Sequence, residues 1–468
     1  MNNIFRTKPI ESLIAETKGK DSLKKALGPL ELTMLGVGAI IGTGIFVLTG
    51  VAAAKYSGPA LILSFIVSGL ACAFAALCYA EFASTVPVAG SAYTYSYAAL
   101  GEFWAWIIGW DLILEYMVAI GAVAVGWSAY AVNLLGAVGI NLPKAITSSP
   151  LEGGIVNLPA VLIILVITYL LVSGVEQSSR VNNIIVAIKL IVIFLFIVLA
   201  VGHVKPANWH PFMPFGWGGV FSGAAIVFFA YIGFDAVSTA AEEVKNPQKD
   251  LPKGIVLSLL LCTALYIIVS AILTGVVPYL QFKDTAAPVA FALKQIGINW
   301  GSALVSVGAI CGITSVLLVM MFGQTRIFFA MSRDGLLPKV FGQVHHKFKT
   351  PVKSTLLVGI VTMVIAGFIP IGDLAELTNI GTLAAFIIVS IGVVVLRYRR
   401  PDIKRGFKCP GAPFTPAISV IFCAVLIYML PNITKFRFVV WFLLGIIVYF
   451  AYSKNHSTMN NESSETAE

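Results

Sequence analysis

The chain has 468 residues, of which 58% are hydrophobic and only 11% charged, with a mean hydropathy of +0.91. That composition excludes a soluble globular domain and a disordered chain. The net charge of +9 raises the alternative of a nucleic-acid surface, so the placement of the basic residues matters more than their sum.

A bilayer core takes about 20 apolar residues per helix. Runs of that size, bounded by charge, Pro or Gly, recur twelve times, near 30–53, 59–83, 99–130, 157–173, 181–202, 217–243, 252–278, 300–331, 353–369, 376–396, 413–430 and 435–453. The alternating ten-residue segments of a membrane barrel are absent, so helices are the expected spanning element. The expected fold is therefore an all-α polytopic membrane protein with twelve transmembrane helices.

Ahead of the first run, residues 1–28 include "IAETKGKDSLKKALG", which reads as an amphipathic helix on the inner leaflet or as a solvated basic tail. No short apolar core with a small-residue cleavage site precedes it, so no cleaved signal peptide is expected. The first run contains "GVGAIIGTGIFVLTG", Gly36 to Gly50, whose two central glycines and threonine weaken a helix where lipid penalises a break. The third, "GWDLILEYMVAIGAVAVG", carries Glu115 one turn after Asp111. Glu115 reads as a proton acceptor or pocket acid, or the two form an interfacial cluster.

The fifth run, "NNIIVAIKLIVIFLFIVLA", holds Lys189. An intramembrane lysine costs about 2.5–3.5 kcal/mol on the insertion scale and marks a functional group unless it snorkels. Lys189 lies some 9 Å above Asn183 at roughly 1.5 Å per residue, near the limit of a lysine's reach. The sixth run, "SGAAIVFFAYIGFDAVSTAAEE", is interrupted at Gly233 and Asp235, with Asp235 placed to cap or to gate. In the eighth, Met320, Met321 and Phe322 line a side-chain pocket or fill helix core. The end, "SKNHSTMNNESSETAE", is expected to be disordered.

With both termini cytoplasmic, 22 of the 31 Lys and Arg fall in inner segments and seven in outer loops. That bias sets the orientation. Six cysteines lack C-x-x-C spacing and read as packing residues, with neither a disulfide framework nor a metal site expected. No catalytic Ser/His/Asp set, H-E-x-x-H or Walker-A sequence is present, so the expectation is neither an enzyme nor an ATP-driven pump, with no cofactor and no nucleic-acid partner.

The two interrupted runs lie five spans apart, and paired breaks in corresponding halves point to an inverted-repeat transporter. Because five is odd, spans 6–10 enter from the side opposite to spans 1–5. A break leaves backbone N–H and carbonyl groups unpaired in hydrocarbon, at several kcal/mol per group. A zwitterionic amino acid suits both sets, its carboxylate at the positive end of a half-helix and its ammonium at free carbonyls.

The stretches "GAIIGTGIF", "FFAYIGFDAVSTAAEEVKNPQKDLPKGI" and "RIFFAMSRDGLLPK" resemble the amino acid–polyamine–organocation superfamily, closest to a bacterial form of its cationic amino acid transporter branch. The resemblance runs from about Leu27 to span 12. It implies a LeuT-type core of spans 1–10 with alternating access. Its halves would be residues 29–202 and 203–398, followed by helices 11 and 12 in 399–453 and a tail at 454–468.

Carried over by position, the resemblance puts a substrate carboxylate at Gly42, Thr43 and Gly44. The ammonium falls at the carbonyls of Ile40, Phe229 and Ile232, with Phe229 as aromatic gate. It makes Lys189 a proton site facing the breaks of spans 1 and 8, where sodium-driven members bind a cation. The expected partners are an L-amino acid, protons and the plasma or inner membrane. Exchange without a driving ion, sodium coupling, and a membrane amino-acid sensor are the competing readings.

Overall fold

The computed structural model describes residues 4–10, 27–88, 91–174, 179–346 and 350–460. The expected amphipathic helix near 14–28 falls almost wholly outside them. Among the described residues the chain is helical, its one β contact an isolated bridge between Leu27 and Val244. Eight helical stretches are long and apolar enough to cross a membrane. Four shorter apolar helices, Pro29–Ile40, Leu158–Val172, Val352–Phe368 and Phe414–Met429, accompany them.

Helix α1 (Pro29–Ile40) starts from Gly28, whose N–H is accepted by the Glu31 carboxylate at 2.9 Å, with Pro29 at the first helical position. Helix resumes over 44–57 and turns at Gly58, which has φ +59°, into α2 (Leu61–Thr85). There follow α3 (Ser91–Ala99), α4 (Glu102–Ala137), α5 (Leu158–Val172) and α6 (Ser179–Val201). The second interrupted helix comprises α7 (Gly216–Val227), a 3₁₀ turn over Phe228–Tyr231 and the short α8 (Ala236–Thr239). The remaining long elements are α9 (Pro247–Val276), α10 (Pro288–Gln295), α11 (Asn299–Arg333), α12 (Val352–Phe368), α13 (Ile371–Arg399), α14 (Phe414–Met429) and α15 (Asn432–Val448).

The two interrupted helices run antiparallel. At one end, Leu27 N–H donates to Glu243 O at 2.9 Å and Lys245 N–H to Leu27 O at 3.0 Å. At the other, the Ser57 hydroxyl donates to Gly219 O at 3.4 Å. The first packs closely on its neighbours at two glycines: a Cβ on Gly36 would stand 2.5 Å from Ser258 Oγ on α9, and one on Gly38 2.7 Å from Val186 on α6.

One face gathers both ends of the chain. The Glu102 carboxylate, at the start of α4, accepts from Arg6 Nη2 at 2.8 Å, Tyr449 Oη at 3.1 Å and Ser457 Oγ at 2.6 Å. Asp334, just past α11, accepts from Lys8 Nζ at 2.8 Å and Tyr93 Oη at 2.7 Å, and its carbonyl from Thr458 N–H at 3.1 Å. Two glycines admit these segments: a Cβ on Gly101 (φ +103°) would lie 2.5 Å from Phe5 O, and one on Gly335 (φ +75°) 2.1 Å from His456 O. Residues 454–460 therefore depart from the disorder expected of 454–468: Ser457 is tied to Glu102 and Thr458 to the Asp334 carbonyl. Residues 461–468 lie outside the described part.

Glu102 is buried, and it holds three donors from both termini. Glu102→Ala leaves those donors without an acceptor and should cost roughly 3 kcal/mol, the scale for breaking a buried pair. The expected readout is a lowered melting temperature of the purified protein and trypsin cleavage after Arg6 at doses that spare the wild type. Unchanged cleavage would show that the segment is held by other contacts.

Candidate functional site

Both sequence-expected breaks are present. α1 stops at Ile40; Ile41 is extended (φ −75°, ψ 104°), and the chain re-enters helix as a wide turn over Gly44–Leu48. In the second, Ile232 is extended (φ −59°, ψ 133°) and Gly233 takes φ +115°, a conformation that disfavours any side chain. A Cβ on Gly233 would also meet the Ala39 backbone at 2.9 Å, so the two interruptions lie against each other.

The carbonyls released by the breaks are met by side chains from neighbouring helices. Lys189 Nζ, on α6, donates to Gly38 O at 2.7 Å, and Asn379 Nδ2, on α13, to Ala225 O at 2.7 Å and Ile226 O at 3.1 Å. The Tyr266 hydroxyl, on α9, lies 3.1 Å from Ile40 O and 2.9 Å from Ala230 O. Beyond the first break, within the helix over 44–57, the Tyr130 hydroxyl of α4 also donates to Phe46 O at 2.6 Å. Of these four residues, Lys189 alone was legible as a site candidate. A single Tyr or Asn within an apolar run carries no signal of what it faces, whereas a lysine there does.

Lys189 is fully buried, with its methylene chain against α11, where a Cβ on Gly312 would approach Lys189 Cγ to 2.8 Å. It thus sits between α1 and α11, and no carboxylate among the described residues is within ion-pair distance of it. A side chain bonded to Gly38 and packed on Gly312 is not reaching for the membrane surface. Snorkelling is not its conformation here.

Of the residues expected at the substrate carboxylate, Thr43 is buried with Oγ1 lacking a hydrogen-bond partner among the described residues, and its methyl fills the space left by Gly126 of α4. A Cβ on Gly42 would meet the Val316 side chain of α11 at 3.3 Å. Gly44 is different: a Cβ there would stand 2.2 Å from Ala230 Cα. Its bare α-carbon is what lets the two breaks touch. Ile40, Phe229 and Ile232 are all buried around the junction.

Met321 is buried on α11 with its sulfur 3.9 Å from the Thr168 hydroxyl of α5. Phe322 is 38% exposed and carries the Arg326 guanidinium 4.1 Å above its ring, so it does not line an interior pocket. Asp111 and Glu115 are each 3% exposed, so both are buried within the protein. Asp111 lies against α13, where a Cβ on Gly381 would be 2.9 Å from its Oδ1, and neither of its oxygens has a partner among the described residues. Asp235, also buried, occupies the N-cap position of α8 yet makes no side-chain capping bond. The capping role expected for it is not realised in the described structure.

The arrangement therefore offers a buried junction with polar backbone from two helices, a lysine on one side and acids on another. Comparison with known proteins agrees with that chemistry: the pattern of the family described as "Amino acid permease" matches residues 27–461. The chain belongs to the amino acid permease family. It is 55% identical over 462 residues to the branched-chain amino acid permease BcaP of Bacillus subtilis (strain 168), covering 98% of this chain and 99% of that one. It is 54% identical, over 98% of this chain and 100% of the other, to the methylthioribose transporter of the same organism. The vacuolar cationic amino acid transporter 4 of Arabidopsis thaliana shares 40% over 414 residues, 86% of this chain and 68% of that one. The superfamily resemblance thus holds, while similarity to the cationic branch is weaker than to these two bacterial transporters.

The glycines of the first break differ in what they tolerate. Gly44→Ala drives a methyl into the Ala230 backbone and should cost about 1–3 kcal/mol as an overpacked contact, with loss of ligand binding. Gly42→Ala meets only the Val316 side chain and should stay close to wild type in melting temperature. Equal melting temperatures for the two variants would contradict the packing described.

Proposed function

We propose that this permease is a secondary active transporter of an L-amino acid, cationic or small neutral, working by proton-coupled symport and alternating access. The observation that carries it is the junction of two antiparallel interrupted helices, with exposed backbone polarity from both and a buried lysine bonded to one of them. The reading keeps twelve spans, a five-plus-five inverted repeat over residues 29–202 and 203–398, and cytoplasmic termini. The antiparallel run of the two breaks and the shared face of both chain ends support it.

In this reading the substrate carboxylate binds the N–H groups of Gly42, Thr43 and Gly44, at the positive end of the half-helix that follows. The ammonium binds carbonyls of Ile40, Phe229 and Ile232. Phe229 closes over the substrate, and Met321 borders its side chain. Lys189 binds and releases the coupling proton: a buried ammonium without a carboxylate is costly, so its charge can be given up when Gly38 moves away. Glu115 takes part in proton transfer or meets a cationic side chain, and Asp235 moves with the gate.

The relatives' names span branched-chain and cationic amino acids and methylthioribose, so cargo is settled by transport. Counterflow into proteoliposomes with labelled L-leucine, L-alanine, L-arginine and L-lysine should show saturable exchange of at least one, unaffected by methylthioribose. Exchange of methylthioribose with none of the amino acids would overturn the reading. Lys189→Met should abolish uptake driven by an inward proton gradient while part of the exchange survives, and sodium should not restore it. Full acid-driven accumulation by Lys189→Met would remove the proton role.

Single cysteines at Lys55 and Lys249, on a background without the native six, should label from outside and from inside respectively. Reversed labelling would overturn the orientation, and labelling of both from one side the inverted repeat.

A further inference from the structure

The Tyr266 hydroxyl has one hydrogen and two carbonyl oxygens within reach, Ile40 O at 3.1 Å and Ala230 O at 2.9 Å. Those oxygens belong to different interrupted helices: Ile40 is the last residue of α1, and Ala230 sits in the 3₁₀ turn after α7. The ring is fully buried and fixed edgewise against Tyr231 and tilted against Phe65, each with centroids 5.4 Å away. Tyr231 is itself committed, donating to Phe65 O at 2.8 Å. The hydroxyl is therefore held at a fixed point between the two breaks, and only its hydrogen can turn.

When that hydrogen points to one carbonyl, the other faces the lone pairs of the phenol oxygen. In a low-dielectric interior such an oxygen calls for another donor. At the α1 end the neighbouring Gly38 carbonyl is already taken by Lys189, and Ile40 O is the carbonyl of that end which Tyr266 reaches. An ammonium is the donor that fits, since its N–H groups can serve a carbonyl without needing an acceptor in return.

We infer that Tyr266 is a positioning residue for the amine of the substrate: it pins the two broken helices at one spacing and keeps one of the two carbonyls available to the ammonium. This rests on the amino acid reading above. A purely structural tie between the helices would act on stability; amine positioning acts on affinity, and two replacements separate them. Tyr266→Phe removes the donor, leaves both carbonyls unpaired and lets them turn. Replacement of Tyr266 by 4-aminophenylalanine keeps the ring and supplies two N–H donors, so that both carbonyls are occupied and the helices stay tied.

The experiment measures melting temperature and counterflow KM and Vmax for labelled L-leucine, L-alanine and L-arginine. For 4-aminophenylalanine the expected result is a melting temperature near wild type with KM raised roughly tenfold and Vmax changed much less, the scale of one hydrogen bond to a charged group. Tyr266→Phe should raise KM by roughly ten- to a hundredfold on the same scale, with a lower melting temperature. If either folded variant keeps the wild-type KM, the inference is overturned, and the amino variant answers the question should the Phe variant fail to fold. A wild-type protein that exchanges none of the three amino acids overturns the transport reading and this inference with it. Wild-type exchange with unchanged KM in the variants overturns this inference alone.

Discussion

A helix broken inside a membrane protein has to find partners for the backbone groups it releases, and in this chain that requirement organises the interior. The end of α1 is met by Lys189 from α6 and Tyr266 from α9, and the end of α7 by Asn379 from α13. Each of these side chains ties a surrounding helix to a break. The helices around the junction are thus arranged by what the breaks lack, and small residues at Gly36, Gly38, Gly126 and Gly312 let them come close enough to supply it.

The buried charges divide into two groups. Several near the ends of the helices are paired. Glu102 is held by Arg6, Asp334 by Lys8, and Glu81 by Arg397 and Arg405, with the Cys409 N–H adding a bond to Glu81 at 2.7 Å. These pairs tie the terminal segments and the loop after α13 to the helix bundle. Those in the middle have no opposite charge: Lys189 bonds to a backbone carbonyl, and Asp111 has no partner among the described residues. A paired buried charge is fixed in place, because removing its proton balance would strand the partner. An unpaired one has no such anchor.

The relatives illustrate how much of this framework is independent of cargo. Two proteins of similar identity to this chain are named for a branched-chain amino acid and for methylthioribose. A framework of paired breaks can hold different ligands when the side chains facing the cavity change, since the backbone junction is a matter of glycine placement and helix capping. The lineage therefore fixes architecture more firmly than substrate.

The sequence by itself determined the helical membrane architecture, the position of both breaks and the special standing of Lys189. These follow from local quantities: hydropathy over some twenty residues, glycine spacing, and the cost of a lone charge in an apolar run. Tertiary structure alone decided that Gly44 serves the contact with Ala230 while Gly42 faces a pliable side chain, that Asp235 makes no cap, that Phe322 points outward, and that Ser457 is tied to Glu102 and Thr458 to the Asp334 carbonyl. It also decided the roles of Tyr266 and Asn379, which look unremarkable within "CTALYIIVS" and "AELTNIGTL". The reason is physical. A hydrogen bond or a methyl-sized clash depends on the group across the interface, and for Gly44 against Ala230, Asn379 against Ala225 and Tyr266 against Ile40 that group lies more than a hundred positions away in the chain, beyond anything that periodicity or local composition encodes.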